Sequence, residues 1–348
     1  MNPRRPVPAQ PPRPRRLADL TPRQRQVLEL LVRRYLAQAK PVASQTLATE
    51  GRHAWAPATL RQTMLELDDL GLLEQAHAAA GRVPSDRGYR LFVDGIEEPT
   101  LLTEDERAAV EDALAQSARD VEHLLAQASR LLAELAQELA FAVRPTLGDG
   151  VLTGLELVGV TSGRVLLILT IGAGLVRSAT LELDLARMEL ERVARLLRER
   201  LVGRAVGDVR KRLAEDDGIV RDAAVALVAQ ACLEALAGAA RPDVYAFGST
   251  HAARHPELQA PGRLAPVLAL IDSPEPWRDL VEGEAPGTVT VTIGREHARP
   301  ELAHLSLVQF RVEGPVGASI GLLGPRRMDY GRAIGLVDFV GRRLTSLL

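Results

Sequence analysis

The sequence predicts an α+β chain of several domains, and three observations carry that prediction. Its 348 residues are 46% apolar, enough to fill two or three separate cores. Residues 17–96 read as three helices followed by two short extended runs. Beyond Pro145 the pattern runs strands, then helices, then strands again, the order expected when a segment interrupts one mixed sheet.

Taken in order, residues 1–16 hold six prolines and five arginines, a composition that stays extended. They read either as a solvated leader or as a basic arm that touches phosphates or a minor groove. A first helix opens at Thr21, Pro22 and Gln24, which supply an N-cap oxygen, a proline preset for the first turn and a capping-box partner. Val27, Leu31 and Tyr35 follow at helical spacing. Ser44 opens a short second helix that ends at Gly51, and a third runs from Pro57 to Leu70 with Gly71 as its stop. Leu60, Met64 and Leu67 form its inward stripe, whereas Ala58, Arg61, Gln62, Leu65 and Asp69 face elsewhere. The runs LLEQ and RV with Pro84 suit a small hairpin, so residues 17–96 are expected to form a winged helix-turn-helix. Ser85 caps the helix that closes it.

Thr103 and Glu106 form a second capping box. Val121, Leu125, Ala128, Leu132, Leu135 and Leu139 then make a seam for another helix, either inside a domain or between two copies. LELVGV, RVLLILTI and RSATLELD read as strands, followed by a charged helix from Ala186 to Leu201. A helix-rich stretch holds DAAVALVAQACLEALAG and a short strand DVYAF. TVTVTI, LSLVQFRV and ASIGLLG are three more strands, and a last helix runs from Asp329 to Leu347. The expected domains are residues 17–96, then 97–201 together with 286–348, with 202–285 inserted.

Composition excludes several function classes. Cys232 is the sole cysteine, so disulfide frameworks and cysteine zinc sites are ruled out. The longest uncharged apolar run, Val165 to Val176, falls short of the roughly 20 residues of a bilayer helix. No membrane span and a cytoplasmic location are therefore expected. The histidines are dispersed, and HExxH, nucleophile-elbow, P-loop and dinucleotide patterns are missing. His251 and His255 share a helical spacing but lack an evident third ligand. The expectation is no enzyme, no metal and no cofactor.

Charge is uneven. The net value is -2, yet residues 1–95 carry 15 Arg or Lys against 9 Asp or Glu, and the remainder 28 against 36. Any affinity for DNA must come from local placement and from the tail. Arg reads guanine and Gln reads adenine bidentately in the major groove, which makes Arg61 and Gln62 the candidate base readers. Thr59 is a candidate for phosphate or a thymine methyl, Arg82 for phosphate or the minor groove, and His77 stands beside it on the hairpin.

With these motifs in place, the chain closely resembles the HrcA family of heat-inducible transcription repressors. The runs that carry the resemblance are LTPRQRQVLELLVRRYLAQAKPVASQTLA and ATLRQTMLELDDLGLLEQAHAAAGRVPSDRGYRLFVD, with TIGREH (Thr292 to His297) and GPRRMDYGRAI (Gly324 to Ile334) near the end. The chain departs from the family pattern at Pro57, Gln62, Ala76, Ala78, Ala79 and His297. The resemblance implies a winged helix, a GAF-like domain and an inserted dimerisation domain. It further implies a homodimer on the double-stranded CIRCE inverted repeat upstream of chaperonin and Hsp70-type operons, with a GroEL-type chaperonin as partner whose titration on heat stress lifts repression. The competing readings are a winged-helix regulator switched by a small ligand in the GAF-like domain, and a winged helix used only for protein contacts.

Overall fold

The computed structural model describes residues 17–348 apart from 51–54, 76–80, 119, 145–149, 162, 173–174, 184–185, 217–218, 220, 239–242, 282–284 and 315–316. The arginine-rich tail and His77 therefore lie outside the described residues.

The N-terminal unit comprises α1 (Pro22–Gln38), α2 (Ser44–Glu50), α3 (Pro57–Asp69), β1 (Leu73–Gln75), β2 (Arg82–Pro84) and α4 (Asp86–Asp94). The expected capping chemistry is present. Thr21 Oγ1 accepts from the Gln24 amide at 3.3 Å while Gln24 Oε1 accepts from the Thr21 amide at 3.1 Å. β1 and β2 pair antiparallel with Glu74 opposite Val83, and Val42 joins β2 through a bridge to Arg82.

The body is built on a five-stranded antiparallel sheet of order β7-β3-β10-β9-β8. Its strands are β3 (Leu139–Arg144), β7 (Asp243–Phe247), β8 (Val289–Ile293), β9 (Leu305–Arg311) and β10 (Ser319–Pro325). Against one face pack α6 (Val121–Ala136) and the C-terminal α13 (Tyr330–Leu347), with α5 (Glu104–Ser117) behind them. One apolar cluster runs without a break from Leu20 and Val27 through Tyr89 and Leu125 to Leu344, so the N-terminal unit and this face of the body share a core. The seam residues Leu125, Ala128 and Leu132 are buried in it, which makes the seam internal packing. Leu139, expected to end that helix, instead begins β3.

The opposite face of the sheet is covered by α10 (Ser249–Arg254), α11 (Leu264–Asp272) and α12 (Glu275–Val281). Trp277 is fully buried there, 4.5 Å from the Phe141 ring, and donates its indole N–H to the Leu270 carbonyl at 2.6 Å. A ring of that size, with Leu258, Leu270, Leu305 and Leu307, fills the space between sheet and helices.

A second sheet corrects the expected domain boundaries. β4 (Leu152–Thr161), β5 (Arg164–Ile171) and β6 (Leu175–Glu182) hydrogen-bond only with one another among the described strands. With α7 (Arg187–Leu201), α8 (Val206–Glu215) and α9 (Ala223–Gly238) they enclose a separate core around Leu167, Val193, Val228 and Cys232. The inserted unit thus begins after β3 and not after residue 201, while β7, expected inside the insertion, belongs to the main sheet. Hydrogen-bond pairing decides membership, and the order of strands along the chain does not reveal it. Burial lifts the Cys232 thiol to about 12, the behaviour of a small core hydrophobe. Among the described residues no helix is long and apolar enough to cross a membrane, and no group of three potential metal ligands occurs.

Candidate nucleic-acid interface

α3 acquires two faces from its sequence spacing. Leu60, Thr63, Met64 and Leu67 are buried against the unit's core, whereas Ala58, Arg61, Gln62, Leu65 and Asp69 lie on the solvent side. Pro57 supplies the first helical turn after Ala56, an N-cap without a side-chain bond. Gly71, at φ +72°, takes the left-handed conformation that ends the segment. Thr59 is half-buried, and its carbonyl accepts from Thr63 Oγ1 at 3.1 Å.

The structure brings Arg61 and Gln62 together on the exposed face. Leu65 follows one turn later, an apolar side chain 41% exposed. Acidic neighbours that would repel a polyanion are mostly engaged elsewhere. Glu66 accepts from Gln24 Nε2 at 3.0 Å and lies 4.0 Å from the Arg23 guanidinium, both on α1. Asp68 pairs with Arg82 on β2 at 2.9 Å. Arg82 is consequently not an open cation: its side chain is 15% exposed, and it ties the hairpin to α3 while its backbone pairs with Val42. The sequence named Arg82 by its place on the hairpin, but the Asp68 contact joins residues fourteen apart in a geometry that helical spacing does not encode.

The far side of the N-terminal unit meets the body through polar contacts. Ser85 caps α4 and donates to the Gly71 carbonyl at 2.7 Å. Asp86, next along, accepts from the Arg295 amide at 3.1 Å and from the Arg326 guanidinium. Arg90 grips both oxygens of Glu296, its Nε at 2.8 Å, and this pairing holds its guanidinium above the usual value. Arg327 donates to the Leu36 carbonyl near the end of α1 at 2.6 Å and to Glu257 at 2.6 Å. Tyr89 and Tyr330, both buried, stand 6.0 Å apart. His255, considered above as a metal ligand, instead lies 2.8 Å from the buried carboxylate of Glu138.

The chain is similar to known proteins over most of its length. The family described as HrcA protein C terminal domain matches residues 122–334. Heat-inducible transcription repressor HrcA of Moorella thermoacetica is 32% identical over 336 residues, 94% of this chain and 97% of its own. Its counterpart from Chlorobium chlorochromatii is 30% identical over 349 residues, covering 95% and 98%. A solved structure described only as a hypothetical protein shares the fold, with a TM-score of 0.58 at 23% identity over 94% of this chain and 98% of that one. These relatives define the class as transcription repressors and not enzymes. The chain belongs to the HrcA family of heat-inducible transcription repressors.

Proposed function

We propose that residues 17–96 form a winged helix whose α3 enters the major groove of the CIRCE inverted repeat, and that two copies of the chain bind its halves to repress chaperonin and Hsp70-type operons. The observation that carries this reading is the exposed Arg61 and Gln62 pair on a helix whose other face is buried and whose Glu66 and Asp68 are paired off. In this reading Arg61 addresses guanine and Gln62 adenine, while Thr59 and His77 serve as flanking contacts. Arg82 braces the wing through Asp68 and reaches phosphate only on leaving that partner. Repression lifts on heat stress when damaged proteins occupy a GroEL-type chaperonin that otherwise maintains the repressor.

A twofold operator calls for a twofold protein. The helix Ala223–Gly238, uncharged from Ala223 to Ala229 and carrying Glu234 further on, spends Val225, Val228, Ala229, Cys232 and Leu236 on the core of the inserted unit. Support for a dimer face comes from the other side of that unit's sheet. Val158 and Val176 are exposed there, on the same face as Leu166 and Ile168 by strand register, and Val160 is exposed at the register shift that follows Gly159. The main sheet of the body we read as GAF-like. Switching by a small ligand has less support, because Trp277 and its leucine neighbours fill the space beneath that sheet.

Footprinting the purified chain on chaperone promoters, with and without chaperonin, tests the reading. Protection of an inverted repeat, strengthened by chaperonin, is expected; no protection of any such repeat discards it.

A further inference from the structure

TIGREH and GPRRMDYGRAI take no part in the reading face, yet their polar groups converge on the N-terminal unit. Asp86 receives Arg326 and the Arg295 amide, Glu296 receives the fork of Arg90, and Arg327 holds the last turn of α1. Gly294 stands between these contacts at φ +56°, and a Cβ there would lie 2.4 Å from the Asp86 carboxylate. Any side chain at that position would have to displace the Asp86 carboxylate. A forked arginine on a carboxylate fixes orientation as well as distance.

The joint also connects to α3 over a short path. Asp86 follows Ser85, which holds the Gly71 carbonyl just beyond the end of α3, and Arg82 three residues earlier holds Asp68 within it. Domains joined in one chain ordinarily move relative to each other unless their interface is extensive. Here a shared apolar core and these polar fastenings remove that freedom.

We propose that Asp86, Arg90, Glu296 and Arg326 are positioning residues: they fix the attitude of α3 on the body and so set the half-site spacing that the dimer accepts. The proposal rests on the inverted-repeat reading above. None of the four needs to touch DNA, and their effect is on geometry and not on base contacts.

The test uses the full-length dimer and fluorescence anisotropy on three DNAs: the protected operator, the same operator with its spacer changed by about two base pairs, and one isolated half-site. The wild-type chain is expected to prefer the natural spacing by at least about tenfold. Asp86→Asn, Arg326→Met and their double variant are expected to prefer it by less than about threefold, with half-site affinity within about twofold of wild type and the double no worse than either single. Arg90→Lys keeps the charge but not the fork, and carries the same expectation should Asp86→Asn fold poorly. Variants that discriminate spacing as sharply as wild type overturn the proposal. An equal loss on half-site and full operator also overturns it, because α3 itself is then damaged. Wild-type chain that binds no inverted repeat defeats the underlying reading, whereas wild-type binding with unaltered variants defeats this proposal alone.

Discussion

On α3 the side chains that face solvent divide into readers and restraints. Arg61→Ala is expected to relax base preference at a cost of ~1–3 kcal/mol to operator binding, measured against random DNA of equal length. Asp68→Ala releases Arg82 for phosphate. It should tighten binding to random DNA and steepen the logarithmic salt dependence by about one unit, and an unchanged slope places Arg82 off the backbone. A third residue pair answers to pH. The Glu138 carboxylate raises the His255 pKa by hydrogen bonding, while burial raises that of Glu138 itself. A histidine so raised contributes stability that is complete below its ordinary pKa and is lost as pH rises through the higher folded value. Burial acts in the opposite sense on His297 and His304, whose pKa values it lowers. The difference between wild type and His255→Gln in chemical denaturation should therefore be largest in mild acid and vanish toward alkaline pH; a difference that grows with pH contradicts the pairing. The exposure of Arg61 and Gln62 was legible in the sequence because it follows helical spacing. The Asp68–Arg82 and Glu138–His255 contacts were not, since each depends on how separate elements pack.

At the scale of elements, helices with explicit start signals were legible: Thr21 with Gln24, Ser85, and Thr103 with Glu106 all cap where expected. β3 was not. LAFAVR is buried at every position, so it shows no alternation, and it directly follows a long apolar helix whose spacing extends to Leu139. The main sheet depends on that strand, which links β7 to β10. Trp277→Ala, emptying the space beside it, should cost ~3–5 kcal/mol in urea denaturation without altering residues on α3. On the inserted unit, Val160→Lys is expected to weaken self-association by sedimentation while leaving thermal stability near wild type, because the position is 59% exposed. A dimer of unchanged strength moves the interface elsewhere.

For the whole molecule, hydrogen-bond pairing and not the order of strands along the chain decides which strands share a sheet. The inserted unit interrupts the main sheet between Arg144 and Asp243, and these two residues are register partners on adjacent antiparallel strands, joined by a bond from Arg144 Nε at 2.8 Å. Topologically the insertion is therefore the loop of an ordinary β-hairpin, grown to the size of a domain. The entropic cost of closing such a loop grows only slowly with its length, by about 0.6 kcal/mol for each doubling. If the proposed function holds, replacing residues 145–242 with a tight turn such as Asn-Gly should leave a folded chain that sediments as a monomer and binds a half-site without favouring the inverted repeat. On the proposed reading, self-association and base reading occupy separable stretches of one polypeptide, and each is free to change in evolution without rebuilding the other.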